Sequence, residues 1–229
     1  MSQDSLVFVS CADSGDVHVL RLNAAQGTLA TVQVLTLGGI LMPMALSPDQ
    51  GTLYVARRSD PLGVVAIAMD RERCVATVLA ESALPASMAH LNIDASGRWL
   101  FSASYGAHLV AVQPLLAGGR VGTASVHSTG PNAHCTQVHP SNQWVLAASL
   151  GGGQLHRYRF DANTGTPTAI AFKADVEQTL APPLRFEQSI EKGDFQPKLI
   201  RAVATSPDGR PMVFHALGHP SLKSLPNGP

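Results

Sequence analysis

Along the first 172 or so residues, short apolar runs alternate with polar turns on a regular beat. The segments "SPDQGTLYV" (47–55), "DASGRWLFS" (94–102) and "HPSNQWVLA" (139–147) each set a polar turn before two or three large apolar residues. Their turn residues Gly51, Gly97 and Asn142 lie 46 and 45 positions apart. A second register runs through "DVHVLRLN" at 16, "GVVAIAMD" at 63, "HLVAVQPL" at 108 and "QLHRYRFD" at 154. A third contains Leu29, Val75, Val121 and Pro167, each 46 residues after the last. Short runs rich in Val, Leu, Ala and aromatics, bounded by Gly, Asp, Asn and Pro, predict β-strands. No segment carries a long helical period.

Three registers sharing one period predict a repeat architecture. About four strands in each unit make a β-propeller blade, so the fold class is all-β, with blades of four antiparallel strands. Inner strands are expected near 40–47, 87–93 and 133–139, with "LVFVSCA" as the first strand of the chain. The beat fails after about residue 175, where "LAPPLRFEQSIEKGDFQPK" replaces the next inner strand. A turn signature, "SPDGRPMVF" (206–214), comes about 20 residues late. The expected division is therefore 1–175 as blades, about three and a half to four of them, and 176–229 as an irregular segment holding a partial blade.

Composition narrows the function classes. The 229 residues are 45% hydrophobic and 14% charged, a globular balance. Sixteen basic and sixteen acidic residues cancel, and the cations are scattered, which argues against nucleic acid or a membrane surface as partner. No apolar run reaches the roughly 20 residues of a membrane helix. The apolar start follows Asp4 with no preceding cation, unlike a signal peptide. Cysteines at 11, 74 and 135 are odd in number and far apart, which predicts reduced thiols in a cytoplasmic protein.

The candidate chemistry gathers where inner strands begin. His90 lies seven residues before Gly97 and His134 eight before Asn142, which predicts the same place in consecutive blades, at the channel mouth. Imidazole suits general-base work near neutrality. The alternative is a pair of inner-strand histidines satisfied by backbone carbonyls. Arg57 and Arg58 follow the strand "TLYVA"; a guanidinium there suits a phosphate or carboxylate, or serves only as a solvated edge charge. Tyr105 ends the equivalent strand one blade on, as a sugar platform or a capping aromatic. Strand alternation sends His134 and Cys135 to opposite faces, so no metal site is expected. His18, His108 and His156 are expected to be exposed, and Gly151–Gly153 to form a turn.

The motifs "QVLTLGGILMPMALSPDQGTLYVARR", "AESALPASMAHLNIDASGRWLFSASYGAHLVAV" and "NAHCTQVHPSNQWVLAASL" resemble those of the seven-bladed β-propeller lactonases, the 6-phosphogluconolactonase family. The resemblance covers about residues 5–172. It implies a lactone hydrolase, a carboxylic ester hydrolase that converts 6-phosphoglucono-δ-lactone to 6-phosphogluconate in the pentose phosphate pathway, without metal or organic cofactor. By the same resemblance His134 is the candidate base and His90 its helper, with Arg58, Tyr105 and Arg210 binding substrate. Gly106 stands where the family commonly has Asn, and Gly153-Gln154 where it often has Asp-Arg. An Arg-His pair and a Glu of the next blade are missing at the expected period; "GRPMVFH", with Arg210 and His215, resembles that segment distantly. The alternative is a truncated, catalytically impaired propeller acting as a binding or scaffold module, self-associating through open blade edges.

Overall fold

The computed structural model describes residues 5–171 and three further strands, 201–205, 211–216 and 219–224. The chain divides into two units, Met1–Asp175 and Val176–Pro229. In the first unit the apolar runs become four antiparallel sheets, laid down in chain order. These are β1 (Ser5–Cys11), β2 (Asp16–Asn23) and β3 (Thr28–Thr36); then β4 (Leu41–Leu46), β5 (Thr52–Arg57), β6 (Gly63–Asp70) and β7 (Val75–Ala83). The third holds β8 (His90–Ile93), β9 (Trp99–Ser104), β10 (Leu109–Pro114) and β11 (Ser125–Ser128). The fourth holds β12 (Ala133–Val138), β13 (Trp144–Ser149), β14 (Gln154–Asp161) and β15 (Thr166–Ala169). The second unit contains a three-stranded antiparallel sheet of β16 (Arg201–Thr205), β17 (Pro211–Ala216) and β18 (His219–Ser224).

Three of these sheets are four-stranded meanders, the expected blade. Inner strands β4, β8 and β12 fall within the expected windows. Among the described residues the only helix is a single 3-10 turn, Ala117–Gly119, and none is long and apolar enough to cross a membrane.

The first sheet is phased differently. Its β2 belongs to the same register as β6, β10 and β14, so β1, β2 and β3 answer to the second, third and fourth strands of the later blades. No described strand pairs with the other edge of β1.

Burial explains why the pattern repeats. Both faces of β5 and β9 are buried because a propeller blade is covered on each side by a neighbour. Val17, Val19, Leu53, Val55, Val65 and Ile67 fill the space between the first and second sheets. Tyr54, Val64, Met88, Leu91 and Leu100 fill that between the second and third. Phe101, Val110, Val112, Val145, Tyr158 and Phe160 fill the next, where Phe101 and Phe160 meet edge to face at 4.9 Å. Each such side chain contributes about 1.5–3 kcal/mol when fully buried. In the fourth sheet β13 alternates, and Leu146 on its other face is exposed.

The turns entering the second strands carry one left-handed residue each: Gln50 (φ 59°), Gly97 (φ 70°) and Asn142 (φ 58°). In the second blade this residue is Gln50, one before the Gly51 that spacing suggested, so the structural steps are 47 and 45.

Candidate active site

In each blade the inner strand begins where the second strand ends, so residues at these two points share one end of the blade. Arg58, Tyr105 and Leu150 directly follow β5, β9 and β13. His90 opens β8 and His134 is the second residue of β12.

The two histidines are not ladder equivalents, contrary to the reading from their spacing. His90 pairs with Ala103, and Cys135 pairs with Ala148. Ala103 and Ala148 each stand one residue before the end of their strand, so the ladder counterpart of His90 is Cys135. The register of β12 shifts between Ala133 and Cys135, which leaves His134 as the extra residue of a β-bulge. A bulge bends the strand and re-aims a side chain, so simple alternation between His134 and Cys135 does not apply here. The difference between seven and eight residues in the sequence is this bulge. His134 is exposed, while Cys135 is half-buried and burial pushes its thiol pKa up.

His90 is half-buried and its Nδ1 accepts a long hydrogen bond, 3.4 Å, from the backbone N–H of Thr136 on the next blade. Two residues along β8, Asn92 Oδ1 accepts from the N–H of Val138 at 3.0 Å. Inner strands have no ladder partner on the channel side, and these side chains satisfy the donors left there. Burial, and secondarily the charge of His134, lower the pKa of His90. With Nδ1 accepting, the ring proton sits on Nε2 as a donor. Sequence reading considered a carbonyl partner for this ring; the partner is an N–H.

Tyr105 and His134 meet edge to face, centroids 5.9 Å apart at 87°. Among the described residues the His134 ring nitrogens have no hydrogen-bond partner. The structure separates the two adjacent arginines. Arg57 is buried, pairs with Glu81 and donates Nε to the carbonyl of Pro61 at 2.9 Å. Arg58 reaches instead towards the lead-in to β8: Nε donates to Ser87 Oγ at 3.2 Å and Nη1 to Met42 Sδ at 3.4 Å. No described carboxylate pairs with Arg58, so its charge remains available to an anion. Arg210 lies outside the described residues; His215 lies on β17.

Other residues hold this end together without a signal in the sequence. Asn132 Nδ2 donates to the carbonyl of Tyr105 at 3.2 Å, and its N–H donates to His108 Nδ1 at 2.9 Å. Ser104 Oγ donates to the carbonyl of Ser87 at 2.8 Å. His108 is exposed as expected, but His18 and His156 are half-buried. The glycines 151–153 form the β13–β14 turn. A cavity of about 760 Å³ at the opposite end of the fourth blade, lined in part by Trp144, Arg159 and Asp161, includes none of the candidate residues.

The family model "Lactonase, 7-bladed beta-propeller" matches residues 4–182. A 6-phosphogluconolactonase of Pectobacterium atrosepticum is 36% identical over 154 residues, 67% of this chain and 46% of that one. A second, from Pectobacterium carotovorum, is 35% identical over 158 residues, 69% of this chain and 47% of that protein. The chain thus spans about half the length of the curated relatives it matches. Among solved structures, the Pseudomonas aeruginosa periplasmic gluconolactonase superposes with a TM-score of 0.60 at 18% identity, over 99% of this chain and 84% of that one. At that identity the likeness is one of fold.

Proposed function

Because this chain belongs to the lactonase family of seven-bladed β-propellers, we propose that it hydrolyses a sugar lactone at the blade end carrying His134, His90, Tyr105 and Arg58. The substrate we assign is 6-phosphoglucono-δ-lactone, the product 6-phosphogluconate, with no cofactor. The unpaired state of Cys11, Cys74 and Cys135 supports a reducing, cytoplasmic setting.

One observation carries the assignment of roles: the two imidazoles are differently committed. His90 gives its Nδ1 lone pair to the Thr136 N–H and is held neutral by burial and by His134, so it offers an N–H and no base. His134, on the bulge and exposed, keeps both ring nitrogens free of protein partners among the described residues. His134 takes a proton from water as the oxygen adds to the lactone carbonyl carbon. The oxyanion that forms needs a donor, which the His90 Nε2–H supplies. Collapse of the adduct breaks the bond from that carbon to the ring oxygen, and the ring oxygen receives the proton held by His134. Tyr105 restrains the His134 ring and offers a face to the sugar, while Arg58 holds the 6-phosphate.

The test is hydrolysis of 6-phosphoglucono-δ-lactone measured against its spontaneous rate, for the wild type and His134→Ala. The expected loss is about 10²-fold or more in kcat, the scale of a removed general base. An unchanged rate in the variant would reassign His134 to structure. A second reading, a catalytically impaired propeller serving as a binding module, is favoured by the exposed leucines Leu146, Leu150 and Leu155 of the fourth blade, exposed by 36%, 66% and 59%. It is the reading that stands if the wild type gives no rate above the spontaneous one.

A further inference from the structure

The segment Thr129–Asn132 carries the chain from the outer strand of the third blade to the inner strand of the fourth, two residues before His134. A crossover of this kind has no ladder of its own, so its backbone donors need partners from outside one. Here two of them are imidazoles. The N–H of Gly130 donates to His156 Nε2 at 3.2 Å, and the N–H of Asn132 donates to His108 Nδ1 at 2.9 Å. Pro131 between them has no N–H to donate.

Each histidine makes further contacts. His156 lies on β14, half-buried, and its Nε2 also meets Ser149 Oγ at 3.1 Å. His108 sits at the end of the β9–β10 turn with φ 57°. Its carbonyl accepts from both the N–H and the Oγ1 of Thr129, each at 3.0 Å. The crossover in turn fixes the residues beside the candidate site. Asn132 holds the carbonyl of Tyr105, the N–H of Leu150 donates to the carbonyl of Asn132 at 2.9 Å, and that of Gly151 to the carbonyl of Pro131 at 3.1 Å. One short segment therefore sets the positions of Tyr105, His134 and Leu150 relative to each other.

We propose that His108 and His156 are positioning residues: two neutral imidazoles that clamp Gly130 and Asn132, so that the bulged His134 stays against Tyr105 in the geometry of attack. The requirement is for an acceptor at one defined ring nitrogen of each, Nε2 of His156 and Nδ1 of His108. The consequence for rate rests on His134 being the base, whereas the clamp itself does not.

The experiment uses four variants of the full chain. His156→Leu and His108→Ala remove the acceptors; His156→Gln and His108→Asn place a carboxamide oxygen near the lost nitrogen. The first readout is the side-chain NMR signal of ¹³C-labelled His134, which feels the ring current of Tyr105 and needs no activity. It should move in the two acceptor-less variants and return towards the wild-type position in the two carboxamide variants. The second is kinetics with the phosphorylated lactone: kcat should fall about 10-fold without an acceptor, a modest misplacement effect, and recover with the carboxamide. An unmoved His134 signal in His108→Ala and His156→Leu overturns the clamp, whatever the activity. A signal that moves equally in the carboxamide variants also overturns it, because the ring itself and not its acceptor then matters. If His156→Leu does not fold, the exposed His108 pair and His156→Gln decide by the same criteria. A moved signal with no catalytic change supports the clamp and removes the base assignment of His134 instead.

Discussion

Asn142 grips Asp94 across the boundary between the third and fourth blades: its Nδ2 donates to Asp94 Oδ2 at 2.8 Å and its Oδ1 accepts from the N–H of Ala95 at 3.1 Å. Asp94 is fully buried. It also accepts from Ser96 Oγ and from the backbone N–H groups of Ser96, Arg98 and Trp99. One carboxylate thus closes its own turn and ties that turn to the next blade.

This arrangement makes stability depend on acid. Burial alone would raise the pKa of Asp94, but the hydrogen bonds from Ser96, Asn142 and Trp99 outweigh it, and the net direction is below the ordinary 3.8. The contribution is full above the unfolded value and is lost as pH falls below it, through the folded one. Asp94→Asn presents an amide N–H₂ to this set of donors and should cost about 1–3 kcal/mol at neutral pH. Urea melts of wild type and variant should converge as pH is lowered below about 4. A constant gap across that range would show that Asp94 titrates alike in both states.

The separation of Arg57 from Arg58 predicts two different phenotypes. Arg58→Ala should lower kcat/KM for 6-phosphoglucono-δ-lactone by about 10-fold or more, the worth of one charge-assisted contact. It should leave hydrolysis of unphosphorylated glucono-δ-lactone nearly unchanged. Equal losses on the two lactones would move Arg58 away from the phosphate.

Trp99 of the third blade is packed on a turn of the fourth, where Gly165 lies at φ 71°. Any Cβ at Gly165 would overlap three Trp99 ring atoms, and the ring is held there by Nε1 donating to the carbonyl of Ala162 at 2.9 Å. Gly165→Ala should therefore destabilise by about 1–3 kcal/mol or more, from overpacking together with the left-handed backbone. Thermal melting checks this, and a melting temperature equal to wild type would mean that the turn moves freely.

The sequence revealed the blades because burial between neighbours constrains the same strand positions every 46 residues or so. What it concealed was anything depending on one residue of register. A bulge adds a residue without changing the apolar pattern, so His134 looked equivalent to His90 when Cys135 holds that ladder position. The seven-against-eight spacing was the available clue. Arg57 and Arg58 are indistinguishable as letters; only the position of Glu81, 24 residues after Arg57, decides which is neutralised. His156 read as a surface residue because the crossover it supports lies 26 residues earlier in the chain. Asn92 was within reach of pattern reasoning, two positions after His90 on the same strand face.

The bonds from His90 to Thr136 and from Asn92 to Val138 have a consequence for how the molecule comes apart. In most sheets an amide proton is guarded by the strand beside it, so its exchange with solvent reports the melting of that sheet. The protons of Thr136 and Val138 are guarded by side chains of a different blade. Parting the third blade from the fourth frees both while every rung of the β12–β13 ladder remains in place. The seam between repeats thus keeps a clock of its own, separate from the one that times the unravelling of a blade.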